Sequence, residues 1–162
     1  MRTNKTSAKI VVEQLIRAPL PLVFSSFVEP KVLKKFWLSK ASGPLQTGKT
    51  VTWDFNVRGA TDAVKVLVLE TNRRIRIKWS NQSTTEWTFT ALKRNQTLVR
   101  IEQAGFTGNR AAIIGEVADT AQGFAYVLSD LKVLLERGIS SGVVKDKAIL
   151  IERAMQLEKR KK

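Results

Sequence analysis

Between residues 49 and 103 the apolar side chains recur at every second position; from residue 111 to residue 137 they recur at every third or fourth. Side chains alternate faces along a strand, whereas a helix returns to one face about every 3.6 residues. This change of period constrains the fold more than any other feature of the chain. Short strands joined by close turns make an antiparallel meander with one apolar face. A long amphipathic helix after it has one apolar stripe. Each surface needs cover, and each can cover the other.

Individual strands assign most of the faces. "KTVTWDF" (49–55) puts Val51, Trp53 and Phe55 together. "RRIRIKWS" (73–80) sets Ile75, Ile77 and Trp79 against Arg74, Arg76 and Lys78. "EWTFTAL" (86–92) pairs Trp87 with Phe89, and "TLVRIEQ" (97–103) aligns Val99, Ile101 and Gln103. "AVKVLVLE" (63–70) is almost continuously apolar, and no face follows from it. Placing Trp79 directly opposite Trp87 would also oppose Ile77 to Phe89, which predicts that both tryptophans lie on the concave face. Ahead of the meander, "KIVVEQLIR" (9–17) reads as a strand, and "LVFSSFV" (22–28) and "PKVLKKFWL" (30–38) as short helices separated at Glu29-Pro30. Gly138 is placed to end the long helix. The expected class is α+β: a curved antiparallel sheet around a long C-terminal helix, with two short helices closing one end.

Residues 1–138 are expected to form this domain, and residues 139–162 a basic amphipathic extension. In the extension Val144, Ala148, Ile151 and Met155 line up beside Leu150, Ala154 and Leu157. That stripe predicts a helix packed on its own domain, burying Ile151 and Met155. A homodimer contact, a client-protein contact and adsorption to anionic membrane are its functional alternatives.

Composition removes whole classes of chemistry. The chain has neither His nor Cys. Disulfides, thiolate metal sites, cysteine nucleophiles and histidine-based acids, bases or ligands are therefore absent. No cofactor or metal is expected, and hydrolysis by a histidine triad is excluded. The 28 Lys and Arg against 14 Asp and Glu leave a net charge of +14. Such an excess attracts anions without saying which. Sheets that stack bases place aromatics on the binding face. Here the aromatics sit opposite the charges, which argues against specific nucleic-acid recognition. No apolar run approaches the roughly 20 residues of a membrane span. "MRTNKTSAKIVV" lacks the apolar core of a signal peptide, so a cytoplasmic protein is expected.

"IRAPLPLVFSSFVEPKVLKKFW", "LETNRRIRIKW", "TLVRIEQAGF" and "GFAYVLSDLKVLLERG" together resemble the SRPBCC, or START-like, superfamily. The branch they are most similar to is that of the activator of heat-shock protein 90 ATPase homologue. The likeness runs over about residues 9–138 in the right order. Four positions depart from the pattern: Thr71 and Asn72 stand for a proline pair, Gln103 for a frequent His, and Phe124 for a frequent Trp. The resemblance implies the helix-grip fold. It also implies a choice of roles: binding a lipophilic small molecule, contact with a chaperone or other acidic protein, or cyclase/aromatase-type catalysis.

The candidate site follows from the inner face. Trp37, Trp53, Phe55, Trp79, Trp87, Phe89, Phe106, Phe124 and Val127 either fill the core or line a ligand cavity between sheet and long helix. Gln103, Asp130 and Tyr126 are the candidate polar groups within it. No carboxylate pair suited to acid–base work is evident, so no catalytic residue is assigned.

Overall fold

The computed structural model describes residues 8–162. Residues 1–7, part of the stretch read above as lacking a signal peptide, lie outside the described residues. The chain opens with β1 (Lys9–Ile16), followed by α1 (Leu20–Val28) and α2 (Pro30–Phe36). Strands β2 (Lys40–Ala41), β3 (Thr50–Asp54), β4 (Thr61–Glu70), β5 (Arg74–Lys78), β6 (Thr84–Lys93) and β7 (Gln96–Ala104) come next. Two helices finish it: α3 (Arg110–Arg137) and α4 (Val143–Lys159).

The seven strands form one antiparallel sheet in the order β1-β7-β6-β5-β4-β3-β2. The first strand returns to pair with the last, Ile10 opposite Gln103 and Val12 opposite Ile101. Prolines punctuate the short helices. Glu29, ahead of Pro30, is extended (φ −89°, ψ 122°), because a residue before proline is pushed out of the helical region. The Asn109 side chain accepts from Ala112 N–H (2.9 Å) at the start of α3. Gly138 ends that helix at φ 81°, a left-handed cap that glycine adopts without steric penalty.

Helix α3 lies across the concave face. Ile75, Ile77, Val99 and Ile101 from the sheet and Leu128 and Leu131 from α3 are essentially inaccessible. The Lys132 ammonium donates to Leu15 C=O (2.7 Å) and to Glu136 Oε1 (2.8 Å), tying the helix to β1. Arg17 N–H donates to the same Glu136 oxygen (2.7 Å). The Lys132 hydrogen bond, with help from the Arg17 N–H, holds the Glu136 carboxyl below its ordinary range against the opposing effect of burial. On the convex face Arg100 joins Glu13 (2.8 Å) and Glu102 (2.7 Å), and Lys9 joins Glu102 (2.9 Å). Hydrogen bonds from Lys9 and then Arg100 depress the Glu102 carboxyl, and its carboxylate partners raise Arg100. Arg74 sits between Glu70 and Glu86. Lys9, Arg74 and Arg100 are thus paired with acids on the outer surface of the sheet, whereas Arg76 and Lys78 have no ion-pair partner among the described residues.

Three expectations need correction. Trp79 does not pair with Trp87: Ile75 stands opposite Trp87, and Ile77 opposite Thr85. Residues 81–85, "NQSTT", read from sequence as a loop, but the turn is tighter than that. Gln82 takes a left-handed φ of 73°, and Asn81 Oδ1 accepts from both Ser83 N–H and Ser83 Oγ–H, so Thr84 and Thr85 belong to the strand. Both tryptophans still face inward, as expected. In the extension, Val144 packs on the core and Ala148 is buried, but Ile151 and Met155 stay 38% and 45% exposed. A helix of this length runs about 25 Å, and only its first half has the body beneath it. Asp130 is buried, but it does not face the cavity. Its carboxylate accepts from Ser140 Oγ (2.8 Å), Ser141 N–H (2.8 Å) and Ser141 Oγ (3.0 Å), fastening the turn between α3 and α4.

Candidate functional site

The aromatic inner face divides in two. At one end α1 and α2 fill the sheet's curve completely. Phe27 meets Phe36, Trp87 and Phe89 at 5.7, 5.9 and 5.8 Å between ring centroids, and Phe24 meets Phe89 edge-on at 5.2 Å. This half is closed core. At the other end nothing equivalent enters, and a cavity of about 420 Å³ remains. Trp37 stands on the divide. It caps α2 and has aromatic neighbours at 5.0–6.5 Å: Phe27, Trp53, Phe55, Trp87 and Phe124. The pairs with Phe27, Trp53 and Phe124 are edge-to-face, a geometry that favours one arrangement of the rings over others.

Each wall of the cavity comes from a different element. The sheet contributes Trp79 and Gln103, the segment after β3 contributes Phe55 and Asn56, and α3 contributes Gly123, Phe124, Tyr126 and Val127. The outer wall is α4, through Val144, Lys147, Ala148 and Ile151. Glu152, one residue further on, accepts from Arg58 N–H (2.7 Å) in the β3–β4 turn and closes that side.

Of the residues expected in the site, Trp37, Phe55, Trp79, Gln103, Phe124 and Val127 line the cavity, as does Tyr126. Trp53 and Trp87 stand behind them, each almost wholly buried, with an indole N–H that finds no partner among the described residues. Phe89 and Phe106 belong to the packed core, and Asp130 to the α3–α4 turn. Sequence reasoning missed Asn56, Asp62, Gly123 and Lys147. Asn56 and Asp62 lie in or beside a turn, which reads as solvated. Gly123 opens the segment "GFAYVLSDLKVLLERG" that carries part of the family likeness, but is not among the residues expected in the site. It lines the cavity, and a Cβ there would meet nothing within 4 Å.

Polar groups in and behind the cavity wall form a chain from Trp79 to Asn81. Trp79 Nε1–H donates to Thr85 Oγ1 (2.7 Å), and Thr85 Oγ1–H donates to Gln103 Oε1 (2.7 Å). Gln103 Nε2 reaches Ser83 Oγ at 3.5 Å, and Ser83 Oγ–H donates to Asn81 Oδ1 (2.6 Å). Asn56 Nδ2 is held by Trp37 C=O (2.7 Å), and Asp62 Oδ1 accepts from Ser80 N–H (3.3 Å). Half-buried Lys147 has no ion-pair partner among the described residues. No group of three or more acidic side chains gathers to hold a metal among the described residues.

A seven-stranded antiparallel sheet curved around one long helix defines the class: this is a helix-grip protein of the α+β type. Within that class the chain belongs to the Activator of Hsp90 ATPase homolog 1-like protein family, whose model matches residues 17–136. None of the curated proteins matches it. Among solved structures it is similar to the protein SSP2350 from Staphylococcus saprophyticus. That match has 26% identity, covers 82% of this chain and 95% of that one, and has a TM-score of 0.72. The Aha1 dimer from Colwellia psychrerythraea shares 22% identity over 81% of this chain and 98% of its own, with a TM-score of 0.71. CalU16 from Micromonospora echinospora shares 20% identity, with 86% of its own length covered and a TM-score of 0.66. The CalU16 match covers 91% of this chain, more than residues 1–138 could supply, and so extends into the α4 region. At these identities the last two speak for the fold alone.

Proposed function

We propose that the protein binds a hydrophobic small molecule in the space between sheet, α3 and α4, without hydrolysing it. The observation that carries this reading is the division of the aromatic face. One half is packed shut; the other leaves about 420 Å³ bounded by Trp37, Phe55, Trp79 and Phe124. That volume falls within the range of small-molecule sites, roughly 300–1,000 Å³. The lining also lacks the groups that hydrolysis by a triad or by a histidine-held metal would need, since the chain has no His and no Cys. The reading takes the cytoplasm as its setting, with which a cysteine-free chain is compatible. No described helix is long and apolar enough to cross a membrane.

Tryptophan fluorescence tests the proposal, because Trp37 and Trp79 lie on the cavity wall. Lipophilic probes at micromolar concentration should quench or shift the emission. An unchanged spectrum across a chemically broad panel would leave a packed interaction domain instead.

A second reading, contact with an acidic protein such as a chaperone, is favoured by the outer side of α4. Ile149, Leu150, Met155 and Leu157 are exposed there beside a run of basic residues at 159–162. A pull-down at low and high salt separates the readings, since charge steering fades as the Debye length falls to roughly 3 Å at 1 M.

A further inference from the structure

We propose that the cavity selects lipophilic molecules carrying an oxygen acceptor, a carbonyl above all, over hydrocarbons and amines of the same shape. The proposal rests on the binding reading above and names the class of ligand. Its basis is the direction of the hydrogen bonds that end at Gln103.

An indole N–H can only donate. Thr85 Oγ1, 2.7 Å from Trp79 Nε1, must therefore accept. A threonine hydroxyl has one proton, and the 2.7 Å contact to Gln103 places it there. The Gln103 atom facing Thr85 is thus the carbonyl oxygen, and the amide nitrogen faces away from it. Amide orientation is ordinarily assigned from the surrounding network; here the Thr85 proton has no other acceptor among the described residues, and Ser83, whose own proton goes to Asn81, has none to give a carbonyl turned toward it, so the network favours this orientation. Thr85 is completely buried, so no solvent competes for its hydroxyl.

The nitrogen has two hydrogens to place. One reaches Ser83 Oγ at 3.5 Å, a long contact. Ser83 directs its own proton to Asn81, so it offers Gln103 only lone pairs. The second amide hydrogen has no partner among the described residues. Gln103 is 6% exposed and lines the cavity. It therefore presents a desolvated donor to whatever occupies the space, and a buried donor without an acceptor is costly. A ligand oxygen satisfies it. A hydrocarbon leaves it unmade, and an alkylammonium, the form an alkylamine takes at neutral pH, has no lone pair and brings a second donor to it. At the mouth, the Lys147 ammonium opposes a cation and tolerates an anion. Asp62 is the one carboxylate in the lining, and one of its oxygens already accepts from Ser80.

Three probes on one ring frame test this by isothermal titration calorimetry on the full chain: acetylnaphthalene, isopropylnaphthalene and naphthylethylamine. The ketone should bind about tenfold more tightly than the hydrocarbon, the scale of one net hydrogen bond, and the amine more weakly than either. Gln103→Met should bring ketone and hydrocarbon within twofold of each other while hydrocarbon binding persists, which also certifies the fold. Thr85→Val, which frees the amide to turn, should shrink the ketone preference as well. Hydrocarbon binding with no ketone preference in the parent chain would overturn the proposal and leave the binding reading standing. A preference that survives both substitutions, or an amine that binds as well as the ketone through Asp62, would overturn it too. If none of the three probes binds, the binding reading fails and takes the proposal with it.

Discussion

Helix α3 contains two glycines, Gly115 and Gly123, and a pair of substitutions at each separates stability from binding. Neither has a positive φ, and a Cβ added at either would meet nothing within 4 Å. Glycine inside a helix is about 1 kcal/mol less favourable than alanine. For a chain of this length that amount corresponds to a rise of about 2–4 °C in Tm. Gly115→Ala and Gly123→Ala should both show it in thermal melts followed by circular dichroism. The two sites part company when the side chain grows. Gly123 borders the cavity and Gly115 does not. Gly123→Phe should set a ring in the open space and abolish probe binding by calorimetry, with Tm at or near the parent value. Gly115→Phe should leave binding intact. A fall in Tm for Gly123→Ala would mean that the helix does not border open space there. Unimpaired binding in a well-folded Gly123→Phe would mean that ligands do not use this cavity.

Other consequences can be checked singly. The Glu136 carboxyl is held below its ordinary value of about 4.5 in the folded state by Lys132. Its contribution is therefore present above that value and lost as the pH falls through the depressed one; Glu136→Gln should flatten the acid side of the Tm–pH curve. Asp130→Ala removes the acceptor for Ser140 and Ser141. It should cost about 1.5–3 kcal/mol, with hydrogen exchange accelerated across residues 140–148. Met155→Ser, on the exposed half of α4, should change stability by no more than about 0.5 kcal/mol; a larger loss in urea unfolding would show that the residue is covered in solution.

Period and punctuation made most of the fold legible. Ile75 and Ile77 point inward and Arg76 outward, as alternation requires, and the prolines at 19, 21 and 30 mark the short helices. Strand β4 resisted because it changes parity partway. A bulge between Val66 and Val68 puts Leu69 opposite Ile75, while Val64 and Val66 had pointed inward before it. No rule of two can read such a strand. The tryptophan pairing failed at a turn built without glycine, where Gln82 supplies the left-handed residue and Asn81 the side-chain bond. Core and cavity were indistinguishable for a different reason. Trp87 and Trp79 are the same residue type on neighbouring strands, yet one lies under Phe27 and the other faces open space. What separates them is where α1 ends, a long-range fact with no local signature. Lys147 and Ile151 became wall residues only because α4 folds back across the mouth.

The tether at Asp130 bears on time rather than on affinity. Between Gly138 and Gly142, both left-handed, the chain turns on three residues, and two serines there are pinned to one carboxylate. Farther along, Glu152 clasps the Arg58 amide across the mouth. If the cavity takes a guest as proposed, α4 is the wall whose opening would widen its way in and out. Local openings of this kind occur over microseconds to seconds. Weakening the tether would raise the rates of entry and escape together and leave their ratio nearly unchanged. Under the proposed binding, two serines and a carboxylate that need never touch the guest would thus bear on its residence time.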